Sequence, residues 1–133
     1  MLNSVAVKDY MAASLVTFKP SMDVLEAIHK LLENGISGAP VVDQLGNLVG
    51  MLSEKDCLKV ALEASYNDGY GGTVQDYMTA EVITVEASAS VLDVAQMFIK
   101  APYKRYPVVD DNRLVGQISR SDVLRAFETI RKK

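Results

Sequence analysis

Serine three residues ahead of aspartate occurs at two matching places in the chain, Ser53 with Asp56 and Ser119 with Asp122. Each pair stands where a β-prone apolar run, Gly50-Met51-Leu52 or Gly116-Gln117-Ile118, gives way to a helical pattern. Two kinds of chemistry fit such a pair. The serine can cap the helix while the acid closes a capping box, a purely structural role. The acid is Asp, whose shorter side chain should close the box less well than Glu. That leaves a carboxylate free at the mouth of the helix, able to accept hydrogen bonds from vicinal hydroxyls such as those of a ribose. The serine hydroxyl can also bond a phosphate or ribose oxygen. Other chemistry is poorly served: there is one histidine, His29, and one cysteine, Cys57. No dinucleotide fingerprint, phosphate-cradling Gly-x-x-x-x-Gly-Lys or metal-ligand spacing is present. The expectation is a protein that is not an enzyme and requires no cofactor or metal.

Composition agrees with a folded binding module. The chain has 133 residues, 49% hydrophobic and 23% charged, enough for one compact domain or two small halves sharing a core. A net charge of −3 gives no electrostatic footprint for nucleic acid. The basic end Arg131-Lys132-Lys133 is too short to change that. A lone Cys57 cannot form an intrachain disulfide, and it reads as a small core hydrophobe, although a helix start can lower a thiol pKa. No stretch approaches a membrane span or a secretory leader, so a cytoplasmic location without membrane association is expected.

The chain is written twice. Val7-Lys8-Asp9-Tyr10-Met11 returns 67 residues later as Val74-Gln75-Asp76-Tyr77-Met78. Thr17 then matches Thr84, Ser21 matches Ser88, and Pro40-Val41-Val42-Asp43 matches Pro107-Val108-Val109-Asp110. After a one-residue deletion, Leu48-Val49-Gly50 pairs with Leu114-Val115-Gly116, followed by Ser53 with Ser119 and Asp56 with Asp122. Motif 1 spans 7–66 and motif 2 spans 74–130, with a glycine-rich linker, 67–73, between them.

To position the Ser-x-x-Asp pairs, each copy must place a strand directly before a helix. Leu15 to Phe18 and Val82 to Val85 are short and β-prone. Helices follow, with apolar positions Val24, Leu25, Ile28, Leu31 and Leu32, and Val91, Leu92, Ala95, Phe98 and Ile99. Asn34-Gly35 and Pro102 end them. A hairpin pairs Ala39–Val42 with Leu48–Leu52. A closing helix carries Leu58, Ala61 and Leu62, or Val123, Leu124, Phe127 and Ile130. The unit is β-α-β-β-α, of α/β (α+β) class, and two such small sheets should pack together.

Over about residues 5 to 130 the chain resembles the CBS domains. The resemblance rests on the short strand ending in Thr17 or Thr84, the Pro-Val-Val-Asp strand, and the Gly-hydrophobic-hydrophobic-Ser-x-x-Asp segment, with Gln117 a mild departure. It implies two pseudosymmetric motifs packed sheet to sheet, clefts that take AMP, ADP, ATP or S-adenosylmethionine, and a flat homodimer. By the same resemblance Asp56 and Asp122 would hold ribose hydroxyls. Ser53, Ser119 and Ser121 would contact ribose or phosphate, and Thr17 and Thr84 would border adenine.

The copies diverge just before the Pro-Val-Val-Asp strand. The first has Ile36-Ser37-Gly38-Ala39 and the second Tyr103-Lys104-Arg105-Tyr106. Family members often carry basic residues there, and Arg can hold phosphate bidentately. The cleft of Lys104, Arg105, Ser119, Ser121 and Asp122, with Tyr106 and Pro107 on its strand, is therefore expected to be the better phosphate site. The cleft of Ser37 and Gly38, which Lys55 could reach, would be empty or take a less charged ligand. Tyr103 and Tyr106 could stack on adenine or pack on the sheet. A sensor of this kind needs an effector protein, which the sequence does not name. The rival reading is a dimerisation or docking module with vestigial clefts.

Overall fold

A computed structural model describes residues 1–67 and 71–132. Asp68, Gly69 and Tyr70 of the expected linker, and Lys133 of the basic end, lie outside the described residues. The chain divides into two compact units. Unit 2 is 16–82, and unit 1 joins 1–15 to 83–133.

In unit 2, α1 (Val24–Asn34) starts at Asp23, whose side chain accepts from the N–H of Leu25, and ends at Gly35. Gly35 has φ of +62°, the left-handed cap that glycine adopts without penalty. Strands β1 (Gly38–Val42) and β2 (Leu48–Ser53) form an antiparallel hairpin. Asp43 holds its loop by accepting from the N–H groups of Leu45 and Asn47. Helix α2 (Glu54–Tyr66) follows β2 without a break, and the short α3 (Val74–Tyr77) completes the unit. Phe18, Val24, Ala27, Leu31, Val41, Leu52, Val60 and Val74 form its core.

Unit 1 repeats the plan with β3 (Val85–Glu86), α4 (Val91–Lys100), β4 (Arg105–Asp110), β5 (Arg113–Ser119) and α5 (Arg120–Arg131). Its sheet runs β3-β4-β5, parallel then antiparallel. Val7, Val91, Val94, Phe98, Tyr106, Val108, Ile118 and Ala126 lie in its core. The β4–β5 turn is the two-residue Asp111-Asn112, both at positive φ, tighter than the glycine-bearing loop of the first hairpin. The step in the repeat register falls at this turn.

The repeat and the compact unit are out of phase. Val7, from the first Val-x-Asp-Tyr-Met segment, is buried in the core built by the second copy, and Val74 is buried in the core of the first. Backbone bonds fix each arm: Val7 donates to Ala89, and Val74 donates to Met22. The repeated glycine of the Gly-hydrophobic-hydrophobic-Ser motif leaves room for the backbone at the end of each arm. A Cβ on Gly116 would stand 2.7 Å from the Ala12 carbonyl, and one on Gly50 would stand 2.9 Å from that of Thr79.

Two expectations need correction. Leu15–Phe18 forms no strand but a single parallel bridge, Phe18 to Val41, and the matching strand in unit 1 is Val85–Glu86, not 82–85. Pro20 explains the difference in extent. Its counterpart Ala87 donates to the Val109 carbonyl at 2.9 Å, a bond that proline cannot make. The expected apolar helix positions also divide. Val24, Leu31, Val91, Phe98 and Val123 are buried, but Leu25, Leu32, Leu58, Leu62, Leu92, Ile99, Leu124 and Phe127 are exposed. The small residues Ala27, Val60 and Ala126 are buried instead, because they let each helix lie close to its sheet.

Candidate functional site

Each unit presents one sheet face to its helices and turns the other away. In unit 1, Tyr106, Val108 and Ile118 point into the core, so the alternation of a strand directs Arg105, Pro107, Gln117 and Ser119 to the opposite face. The register sets Arg105 across from Ser119 and Pro107 across from Gln117. Thr84 immediately precedes Val85, which pairs with Val108, and so leads into the row of Pro107 and Gln117. Unit 2 has the same rows: Gly38 across from Ser53, Pro40 across from Met51, and Thr17 leading into Phe18 beside them.

At the end of each face the strand runs into a helix, and here the aspartates are only 6% exposed. The boxes are closed, contrary to the expectation for a short Asp. Ser53 donates its N–H to Asp56 Oδ2 at 2.9 Å, and Asp56 returns its N–H to Ser53 Oγ at 3.2 Å. Ser119 and Asp122 do the same at 2.8 and 3.2 Å. The serines have extended backbones, φ/ψ of −110°/166° and −109°/169°, which turn their N–H groups back over the first helical turn within reach of the shorter carboxylate. Only Oδ1 of each aspartate is left for a further partner. Thr79 Oγ1 comes to 3.5 Å from that of Asp56, while the Arg125 guanidinium pairs with that of Asp122.

The charged rim differs between units. Lys104 and Arg105 are both exposed, and the Arg120 N–H donates to the Lys104 carbonyl at 3.3 Å, which brings a third basic residue to the same edge. Unit 2 has Ser37, Gly38 and Glu54 at these positions, joined by the corresponding Glu54 to Ser37 bond at 2.8 Å. Lys55 and Ser121 occupy matching exposed positions in the first turns of α2 and α5. Arg120 could have been found from the repeat, since it aligns with Glu54; the approach of Thr79 to Asp56 crosses 23 residues and has no local signal.

Tyr106 belongs to the core. It is 2% exposed, its ring centroid lies 4.8 Å from that of Phe98, and its hydroxyl donates to the Met97 carbonyl at 3.3 Å. Burial raises its pKa. Its ring is therefore unavailable to a ligand, and packing is the outcome for this residue; Tyr103 packs against it and remains half-exposed. Burial also raises the Cys57 thiol, reinforced by the charges of Asp56 and Glu54, which agrees with a structural cysteine. Among the described residues no group of side chains suits a metal ion, and no helix is long and apolar enough to cross a membrane.

Ser-capped strand-to-helix junctions on two repeated units define a tandem pair of small α/β modules. The CBS domain family model matches residues 7–63 and 74–129, and the chain belongs to that family as a CBS pair. Its fold is similar to that of CBSX2 from Arabidopsis thaliana (TM-score 0.82, 33% identity, covering 97% of this chain and 98% of that one). A CBSX2 structure in complex with AMP is similar to the same degree (TM-score 0.81, 34% identity, 96% and 98%). The CBS domain pair of protein MJ0100, in complex with 5′-methylthioadenosine and S-adenosyl-L-methionine, superposes with a TM-score of 0.73 at 31% identity over 97% and 98% of the two chains. Among curated relatives, YhcV of Bacillus subtilis is 31% identical over 89% of this chain and 82% of its own. The chain spans less than two thirds of several others, including 59% of the chloroplastic CBSX1 of Arabidopsis thaliana, at 32% identity.

Proposed function

We propose that the chain is a regulatory module, without catalytic activity of its own, that binds an adenosine-containing ligand such as AMP, ADP, ATP or S-adenosylmethionine and signals to an effector protein. The observation that carries this reading is the duplicated strand-to-helix junction. At each, a buried aspartate keeps one carboxylate oxygen beyond its capping box, beside a sheet face that ends in serine. Ribose hydroxyls would bond Asp56 or Asp122, with Ser53, Ser119 and Ser121 at ribose or phosphate and Thr17 and Thr84 toward the base. Lys104 and Arg105 would hold phosphate at unit 1, leaving the side of Ser37, Gly38 and Lys55 to a less charged ligand. Relatives crystallised with AMP and with S-adenosylmethionine support the ligand class. A lone cysteine fits a reducing compartment such as the cytoplasm.

Calorimetric titration of ligand-stripped protein with AMP, ADP, ATP, S-adenosylmethionine and adenosine tests this reading. Saturable binding of at least one is expected, and silence across the panel refutes it.

A dimerisation role is the second reading, favoured by the exposed apolar helix positions. They recur at equivalent places in both repeats, Leu25 with Leu92, Leu32 with Ile99 and Leu58 with Leu124. In unit 2, Leu32 and Leu58 border a groove of about 240 Å³ between α1 and α2. A face that repeats itself suits a second copy of the same chain across a two-fold axis. Sedimentation of wild type and Leu58→Glu would report it: a dimer reduced to monomer supports the homodimer, and a monomeric wild type rejects it.

A further inference from the structure

We propose that Gln117 reads the base of the ligand held by unit 1 and makes that site selective for adenine; this rests on the nucleotide reading above. The Gln117 amide nitrogen is shut off from solvent and donates to nothing among the described residues. A buried donor left unpaired is costly, about 1–3 kcal/mol, so such a group marks a place where an acceptor belongs. Its position says which acceptor. Gln117 lies on the same face of β5 as Ser119, two residues back along the strand, or about 7 Å at the usual rise. Arg105 faces Ser119 across the ladder, and Pro107 faces Gln117.

This face therefore sets a guanidinium across from the Ser119–Asp122 pair in its end row and, one row further in, an amide beside the flat Pro107 ring, with Thr84 leading into that second row. Phosphate and ribose would lie at the first row and the base at the second. A glutamine amide presents one donor and one acceptor side by side. These match the N7 acceptor and the 6-amino donor of adenine. Hypoxanthine and guanine put a carbonyl at position 6, so they offer two acceptors there and leave the glutamine oxygen facing another oxygen. In unit 2 the same place is Met51, across from Pro40, which can pack on a base but cannot distinguish these edges. The two units thus differ in how they discriminate a base as well as in charge.

Calorimetry of wild type and Gln117→Met with AMP, IMP and adenosine tests the assignment. The substitution installs the residue that the same fold carries at position 51, and thermal unfolding checks that it folds. Wild type is expected to favour AMP over IMP by about tenfold or more, on the scale of one bidentate pair. In Gln117→Met the AMP-to-IMP ratio should fall to near unity, while the ratio of AMP to adenosine, set by the phosphate contacts, stays as in wild type. Gln117→Glu keeps an acceptor toward position 6 but loses the donor for N7, so it should bind AMP more weakly while still disfavouring IMP. Equal binding of AMP and IMP by wild type, or an unchanged ratio in Gln117→Met, overturns the role of Gln117. Silence to every adenosyl compound overturns the nucleotide reading itself.

Discussion

Arg120 donates its backbone N–H to the carbonyl of Lys104, and the same bond in the other unit joins Glu54 to Ser37. One equivalent edge is thus cationic and the other neutral to acidic. Phosphate should be felt only at the first. Arg105→Ala is expected to weaken AMP, ADP and ATP several-fold while sparing adenosine. Arg120→Glu, copying Glu54, should weaken ATP more than AMP and flatten the salt dependence, since exposed charges are screened by salt. Calorimetry at two ionic strengths measures both effects, and equal losses for adenosine and ATP would reject the phosphate role.

The Asp122 carboxylate has two tasks, and substitution can separate them. Asp122→Ala removes the acceptor for the Ser119 N–H, so it should cost about 1 kcal/mol and lower Tm by several degrees, besides greatly weakening ligand binding. Asp122→Asn can still accept from Ser119 through its amide oxygen but offers the ligand a donor in place of the second oxygen. Its Tm should return close to wild type while binding stays poor. An Asn variant that binds normally would refute the ribose role.

Gly116→Ala should destabilise by about 1–3 kcal/mol, the usual cost of overpacking, because the added methyl meets the Ala12 carbonyl and the Met11 sulfur at 2.7 and 2.6 Å. Gly50→Ala should behave alike against Thr79 and Met78. Urea unfolding midpoints give the answer; an unchanged midpoint would mean that the arm shifts freely.

Burial and the neighbouring carboxylates hold the Cys57 thiol above its ordinary value. The thiolate is the reactive form, so alkylation should be slow near pH 8 and still accelerating above about pH 9, beyond the ordinary thiol pKa of about 8.5. A rate that levels off below that value would contradict the shielding. Glu54→Gln removes one of the charges that raise the pKa and should move the curve to lower pH.

Much of this organisation can be read from the residue order because it is local or repeated. The helices, the hairpins and the Ser-x-x-Asp junctions come from periodicity, turn residues and duplication. The features that escape such a reading depend on contacts distant in sequence. Nothing beside Pro20 shows that the bond it lacks is the one Ala87 makes to Val109. Leu32 and Ile99 look like core by period, yet the sheet takes Ala27 and Val94. The aspartates look free because Asp is shorter than Glu; the extended serine backbone that brings its N–H within reach is a matter of geometry, not composition.

The arms at Val7 and Val74 have one more consequence. A polypeptide carrying a single repeat would hold an arm whose seat lies on another molecule, and an empty seat of its own. Two such molecules would satisfy each other by trading arms, as in domain swapping. Joining two repeats in one chain turns that trade between molecules into an internal one, independent of protein concentration. Cutting this chain at the repeat boundary should therefore yield two fragments that are unstable as monomers and regain their cores only by trading arms, with each other when mixed or with a second copy of themselves at high concentration.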